Sequence, residues 1–435
     1  MRIERLNPFL LLRSAERSLN PVDRLLREWQ MIYPAGSGYY VYGPLLVRTL
    51  RRFEALLDLA LEAAGATEIH LPLLQPVELW KRSGRFGRFA GEMFQVETRK
   101  GRSYLLSPTS EEQVSAWLAQ VRPLSQRAVP LAVFQKGLKF RDEAGAGSVI
   151  RSREFLMYEA YFWAADEREV AAVGESLLAA LEGVLDVLGV PHARGADKDV
   201  GDGEPVDLFV PAPGRTPYEL ELCPSCDAAR SGGDACAGCG STDPPSHVRA
   251  MPVAQCAFLG SEFSREFDVR IGDSPLPMGC IGFSMLRIIG GLLARADDGR
   301  APTWPSAIAP ALAVLVTPGL ATLHAEREAI GRVYARLAER AEAGRAYPLL
   351  HRSIVLDDRD VVHAKRLEEW SRRGVPFLLD AGTKDAGVRV RLVDQRTGTV
   401  SLLDEDEAVA VVEEEIERIE DVFASLRREV ALLRA

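Results

Sequence analysis

One segment in the middle of the chain carries side chains suited to binding a nucleotide. Arg141 and Glu143 are two positions apart, so they would share one face of a strand. A short turn of Gly and Ala separates them from Arg151 and Phe155. Guanidinium groups bind phosphates through paired hydrogen bonds. A carboxylate can accept a hydrogen bond from the adenine amino group, and an aromatic ring can stack on the base. The segment predicts an ATP-binding hairpin; the alternative is a charged surface hairpin.

A second segment, residues 278–294, has small residues where a flat ligand would need space. Gly279, Gly282 and Ser284 would let a strand approach such a ligand closely. Arg287 then begins an apolar helix, where its guanidinium can lie over an adenine ring. We expect this strand and helix to complete the nucleotide site.

The elements that must position these side chains begin nearer the N-terminus. Apolar residues at helical spacing predict a helix over 43–64, which Gly65 ends. Residues 68–76 then read as a strand that contains Pro72 and ends at Pro76.

In chain order, these segments resemble motif 1 (the dimer-interface motif), motif 2 and motif 3 of the class II aminoacyl-tRNA synthetases. Four further segments are similar to the prolyl branch of that class. Residues 74–86 resemble LQPxELWxxSGR, 107–112 resemble GPTxEE, 152–157 match SREFLM, and 304–310 match WPxxIAP.

The resemblance implies both a fold and a domain plan. It implies a class II catalytic domain (α+β, antiparallel sheet) over 1–306, with a small zinc-knuckle insertion at about 205–250. An anticodon-binding-like α/β domain with a long C-terminal helix is expected over 307–435. About 110 residues separate the second and third motifs, so the bacterial editing insertion has no room.

The resemblance also implies roles for individual residues. Arg141 and Arg287 would be catalytic. The side chains expected to bind ATP are Arg141, Glu143, Arg151, Phe155 and Arg287. Those expected around the amino acid are Thr109, Glu111, Arg141, Gln255, Ala257 and Cys280.

The activity implied is a ligase reaction in two steps. An amino acid, proline as first choice, would react with ATP and Mg²⁺ to form an aminoacyl-adenylate, and the aminoacyl group would pass to the 3′ end of tRNA. Gln255 and Ala257 stand where the prolyl pattern has His and Phe. The alternative is therefore a paralogue that activates a different or non-standard amino acid for biosynthesis, or a non-translational tRNA-binding or regulatory subunit.

Four of the six cysteines form two Cys-x-x-Cys pairs, at 223/226 and 236/239. Cys223, Cys226, Cys236 and Cys239 are the ligand set of a tetrahedral Zn²⁺ site, structural because four thiolates leave no open position. The alternatives are reduced surface cysteines or two disulfides. Of the other two, Cys256 is predicted to be buried and Cys280 to line the pocket.

Composition agrees with this picture. A chain of 435 residues should form two or three domains, and its net charge of −9 means that a tRNA partner needs a local basic patch. No run of 18 apolar residues and no signal-peptide pattern occurs, so we expect a cytoplasmic protein without a membrane partner. A homodimer is expected from motif 1.

After residue 310 the chain alternates between predicted strands and helices, and it ends with an unusual apolar pattern. Residues alternate in steps of three and four: Val409, Val412, Ile416, Ile419, Phe423, Leu426, Val430 and Leu433. Such a seam fits a terminal helix packed on its own domain or a coiled coil with a second chain.

Overall fold

The computed structural model describes residues 20–121, 124–195, 206–212, 216, 218–226, 228–230, 235–294, 302–319, 324–344, 353–384 and 387–433, the last five without side chains. Its helices are α1 (Pro21–Glu28), α2 (Pro44–Ala63), α3 (Val77–Arg82), α4 (Phe86–Phe89), α5 (Glu111–Leu118), α6 (Glu167–Val187), α7 (Glu262–Phe267), α8 (Met285–Ala294), α9 (His324–Ala343), α10 (His363–Arg372) and α11 (Glu405–Leu433). No helix in the described ranges is long and apolar enough to cross a membrane.

The strands belong to five sheets. They are β1 (Ile32–Gly36), β2 (Tyr39–Tyr42), β3 (Ala66–Glu68), β4 (Leu74–Pro76), β5 (Gln95–Glu97), β6 (Ser103–Leu106), β7 (Leu131–Phe140), β8 (Glu154–Trp163), β9 (Ala193–Gly195), β10 (Val206–Pro211), β11 (Tyr218–Leu222), β12 (Ser246–Gly260), β13 (Arg270–Ile271), β14 (Ser274–Pro275), β15 (Met278–Phe283), β16 (Ala313–Val316), β17 (Ile354–Asp357), β18 (Phe377–Lys384), β19 (Gly387–Asp394) and β20 (Thr399–Leu403).

The chain divides into two compact units. One comprises Pro34–Tyr40 and the described parts of 60–294; the other comprises the described parts of 1–33, 41–59 and 295–435. The domain boundary predicted from the sequence, at 306/307, stays a prediction. It differs from this division by compactness because it assigns the N-terminal helices to the catalytic domain.

An eight-stranded sheet forms the centre of the first unit. Its order is β3-β7-β8-β15-β12-β10-β9, with β11 paired to β12. Only β3 runs parallel to its neighbour; the other pairs are antiparallel. The antiparallel sheet expected for a class II catalytic domain is therefore confirmed.

Two expectations about strands in this unit were wrong. The strand predicted over 68–76 is divided, because β3 joins the large sheet whereas β4 pairs with β6 in a three-stranded sheet. Between them, Pro72 has no N–H to donate, and the N–H of Leu71 donates to the Gln135 side chain at 3.1 Å.

Strand β7 ends at Phe140, so Arg141 and Glu143 lie in the following loop rather than on one strand face. The hairpin itself is present, since β7 and β8 pair from Leu131↔Trp163 to Phe140↔Glu154.

Glycines on β15 allow close packing of neighbouring side chains. A Cβ on Gly279 would collide with the Phe162 ring, and one on Gly282 would collide with Met157. Gly282 also lines the pocket described below, whereas Gly279 makes room for Phe162. The expectation that Gly279 accommodates a ligand is corrected accordingly.

The second unit contains a five-stranded sheet in the order β17-β16-β18-β19-β20. The first three strands in this order are parallel to one another, and β19 and β20 each pair antiparallel to the strand before them. Asp357, at the end of β17, is buried and accepts hydrogen bonds from Arg359 at 2.7 Å and from the Trp370 indole at 2.9 Å. The charged segment after this strand therefore stabilises the unit.

Helix α11 buries its apolar seam within this unit. It packs against α9 and the sheet, and Arg340 pairs with Glu420 at 2.8 Å. The buried seam residues are Val409, Val412, Ile416, Ile419 and Phe423. The structure supports packing on the helix's own domain; the side chains of Val430 and Leu433 lie outside the described residues.

Candidate active site

A cavity of about 470 Å³ opens on one face of the eight-stranded sheet. It brings together every residue that the sequence assigned to ATP or to the amino acid. These are Thr109, Glu111, Arg141, Glu143, Arg151, Phe155, Gln255, Ala257, Cys280 and Arg287. They come from three strands, two loops and two helices, so only the folded sheet places them side by side.

Three arginines, Arg141, Arg151 and Arg287, make one part of the cavity strongly positive. Arg141 donates from Nε to the Pro108 carbonyl at 3.1 Å, and its guanidinium lies 5.4 Å from the centre of the Phe155 ring. Burial, and then the charge of Arg141, lower the pKa of Arg287. Since cations close enough to perturb one another favour a polyanion between them, this part suits a triphosphate.

Backbone contacts hold Arg287 in place. Its Nε donates to the Ile150 carbonyl at 3.2 Å, and its Nη1 donates to the Pro252 carbonyl at 3.1 Å. The first carbonyl belongs to the hairpin loop and the second to β12. Because two hydrogen bonds hold the planar guanidinium group, it can present its face to a ligand with little further loss of side-chain entropy.

Glu143 and Arg151 are paired with each other. Arg151 Nε donates to Glu143 Oε2 at 3.0 Å, and the Arg151 side chain is 59% exposed. The roles expected from the sequence place one residue on adenine and the other on a phosphate. Nucleotide binding would therefore exchange this exposed pair, which is inexpensive to break, for contacts with ATP.

The opposite part of the cavity is acidic. Thr109 Oγ1 donates to both carboxylate oxygens of Glu111 at 2.8 Å. Arg85 Nη1 approaches Glu111 Oε2 and Glu112 Oε1, each at 3.1 Å. The Arg85 guanidinium lies 5.0 Å from the centre of the Trp80 ring. These contacts fix an ionised carboxylate beside the space for a substrate.

The two adjacent carboxylates titrate differently. Burial would raise the pKa of Glu111, but the charge of Arg85 and the Thr109 hydroxyl hold it below the ordinary value. Burial dominates at Glu112 and raises its pKa to about 7. Glu111, which lines the cavity, is therefore the one that carries charge for a ligand.

Sequence reasoning missed Arg85. It lies within the segment 74–86, but its partners are 26 and 27 residues away in the chain. Its contacts identify it: two carboxylates and the rings of Trp80 and Phe89, the second ring centred 5.1 Å from its guanidinium.

The third part of the cavity is formed by neighbouring strands β12 and β15. Gln255 is paired with Gly282, and Ala257 with Cys280. Burial, and then the charge of Glu111, raise the pKa of the Cys280 thiol, so this wall is neutral. Cys256 is fully buried, as expected.

The four remaining cysteines form a separate cluster. Their Sγ atoms all lie within 4.8 Å of one another, and none is in a disulfide. Cys223 and Cys239 are separated by 3.6 Å between sulfurs, and Cys226 and Cys236 by 3.7 Å. A tetrahedral ion with metal–sulfur bonds of about 2.3 Å holds sulfurs about 3.8 Å apart. The cluster thus fits a four-coordinate metal ion, and the disulfide alternative is not seen.

Known proteins share both sequence and fold with this chain. The model of the tRNA synthetase class II core domain (G, H, P, S and T) matches residues 94–296. A probable mitochondrial proline–tRNA ligase of Homo sapiens is 28% identical over 405 residues, covering 88% of this chain and 83% of the relative.

A second relative is more similar over a shorter stretch. The probable mitochondrial proline–tRNA ligase of Schizosaccharomyces pombe is 30% identical over 313 residues, covering 68% of this chain and 72% of the relative. In fold, the chain is similar to the prolyl-tRNA synthetase of Cryptosporidium parvum, solved with L-proline and AMP. The TM-score is 0.70 at 16% identity, covering 93% of this chain and 79% of that one.

Proposed function

Because the chain belongs to the class II aminoacyl-tRNA synthetases, with the proline–tRNA ligases, we propose that it activates proline with ATP and transfers it to tRNA. The observation that carries this proposal is the cavity, which joins a tri-arginine part to an ionised Glu111. The first suits a triphosphate and the second a substrate ammonium group, such as the secondary ammonium of proline, and these are the charged ends of the two substrates.

Arg141 lies where the two substrates would meet. Its guanidinium is bonded to Pro108, next to Thr109, and faces the Phe155 ring. It would bind the α-phosphate and the substrate carboxylate together, while Phe155 and Arg287 hold the base. Arg151 would move to the γ-phosphate and Glu143 to the adenine amino group. Thr109 and Glu111 would hold the substrate nitrogen.

The chemistry then needs positioning rather than a base. The ionised substrate carboxylate attacks the α-phosphorus, the bond from that phosphorus to the bridging oxygen breaks, and pyrophosphate leaves with the electron pair. Arg141 stabilises charge that grows on the α-phosphate. Mg²⁺, when bound to the triphosphate, would neutralise part of its charge.

Transfer to tRNA is tested by charging. A tRNA transcript with a proline anticodon should accept radiolabelled proline in the presence of ATP, whereas a transcript lacking its 3′-terminal adenosine should not. Activation of proline without charging of any tRNA would favour the biosynthetic alternative.

The tRNA is proposed to contact the C-terminal unit of the chain, and the reaction is proposed to take place in the cytoplasm.

We also propose that the cysteine cluster holds a structural Zn²⁺. Wild-type protein should contain about one zinc per chain by mass spectrometry, and Cys226→Ser should lose it to a chelator that leaves the wild type loaded. Cys256→Ala, which changes a buried cysteine outside the cluster, is the control and should keep its zinc. Full zinc retention by Cys226→Ser would contradict the assignment.

The homodimer stays a prediction from the resemblance of residues 43–76 to motif 1. Light scattering at micromolar concentration should give a mass near twice that of the 47.8 kDa chain. A mass equal to that of a single chain at micromolar concentration would contradict the predicted homodimer.

A further inference from the structure

A buried ion pair lies beside the acidic part of the cavity, and one of its members, Glu159, is among the lining residues. Lys139 on β7 and Glu159 on β8 approach to 2.6 Å between Nζ and Oε2, and both side chains are 2% exposed. Burying two charges costs several kcal/mol per ion unless further hydrogen bonds satisfy them. The partners of the pair therefore show what it holds.

Those partners belong to the loop that carries Thr109 and Glu111. Lys139 Nζ donates to Ser107 Oγ at 3.0 Å and to Ser110 Oγ at 2.8 Å. Ser110 Oγ donates in turn to Glu159 Oε2 at 3.2 Å. The ion pair thus grips the loop at both ends of the Pro108–Thr109 dipeptide.

Glutamine side chains complete the attachment. Gln135 Nε2 donates to Glu159 Oε2 at 2.8 Å and approaches Ser110 Oγ at 3.0 Å. Gln75 Nε2 donates to the Thr109 carbonyl at 2.8 Å and to Ser107 Oγ at 2.9 Å. The Trp80 indole fixes Gln75 in turn, at 2.6 Å.

We propose that Lys139 and Glu159 are positioning residues, which set the 107–111 loop so that Thr109 and Glu111 meet the substrate nitrogen. This inference rests on the proposed function for the identity of the substrate. The alternative, a pair that only adds stability, is the weaker account, because apolar replacements of buried ion pairs are commonly neutral or stabilising. What apolar residues cannot replace here is the set of hydrogen bonds to the loop.

The test compares two lysines on one strand. Lys139→Met keeps the length of the side chain but removes the donor. We expect the KM for proline to rise at least about tenfold, the effect of a lost hydrogen bond to a charged group, while the KM for ATP changes less than twofold. Lys136→Met is the matched control, because Lys136 is half-buried and pairs with Glu68 at 3.3 Å. It should leave both values unchanged.

A double variant separates positioning from stability. Lys139→Met with Glu159→Leu removes the buried charge left by the single change, so thermal stability should recover. The KM for proline should stay high, since the loop still lacks its partners. Recovery of both stability and KM would show a merely structural pair and overturn the inference.

Hydrogen exchange decides the inference without any substrate. Amides of the 107–111 loop should exchange faster in Lys139→Met than in wild type or Lys136→Met, with strand β18 unchanged as an internal reference. Unchanged loop exchange, or equal rises in the KM for proline and ATP, would overturn the inference. If wild-type protein activates no amino acid, the proposed function fails, while the exchange result still decides what the ion pair does.

Discussion

Arg141→Ala is expected to reduce ATP–pyrophosphate exchange by about 10³-fold, as removal of a guanidinium that stabilises transition-state charge does elsewhere. The structure gives the reason. Arg141 lies between Pro108, at the start of the amino-acid part of the cavity, and Phe155, in the nucleotide part. Arg141 therefore lies between the positions proposed for the two reacting groups.

Arg153→Ala is the matched control, because Arg153 belongs to the same hairpin but its side chain is not among those that line the cavity. Its Nε donates to Asp142 at 2.8 Å and its Nη1 donates to the Ser37 carbonyl at 2.6 Å. Such partly exposed contacts are worth about 1 kcal/mol or less, so exchange should fall less than about threefold. Equal losses in the two variants would mean that the hairpin, and not Arg141, is what matters.

Glu111→Gln is expected to raise the KM for proline by about 10²-fold. The variant keeps the shape of the side chain but loses the charge that would pair with the substrate nitrogen, and hydrogen bonds to charged groups are worth about 1.5–3 kcal/mol. Steady-state exchange at varied proline, with ATP saturating, measures the effect. An unchanged KM would remove Glu111 from the amino-acid site.

Glu112→Gln is the control for that experiment and makes a different prediction. Since burial raises the pKa of Glu112 to about 7, its protonated form is the one that the fold favours. Its contribution to stability is complete below the ordinary pKa of a glutamate and is lost as the pH rises through 7. Glutamine mimics the protonated form, so the variant should gain thermal stability relative to wild type above pH 7 and bind proline normally.

The sequence predicted the residues of the cavity well because each motif is a local pattern. Arg141 and Glu143, or Gly282 and Arg287, are recognised by spacing within one hairpin or one strand–helix junction. Their meeting in one cavity follows from the order in which β8, β15 and β12 pair.

Residue spacing within a motif could not predict contacts between the cavity residues and side chains that are distant in the sequence. Arg85 reaches carboxylates 26 and 27 positions later, and Lys139 meets a loop 29 to 32 positions earlier. These contacts depend on the register of β7 against β8 and on the path of a loop. Strand β20 also gives no clear sequence signal, because it is short, lies at the edge of its sheet and exposes Val400, so its apolar residues carry no burial pattern.

Amino-acid-dependent ATP–pyrophosphate exchange, run with zinc-loaded protein across all twenty amino acids, tests the central claim most directly. The account predicts exchange with proline, reduced about 10³-fold in Arg141→Ala and less than about threefold in Arg153→Ala. Exchange with another amino acid in place of proline would show that Gln255 and Ala257 have changed the substrate. No exchange with any of the twenty would contradict the proposed activity.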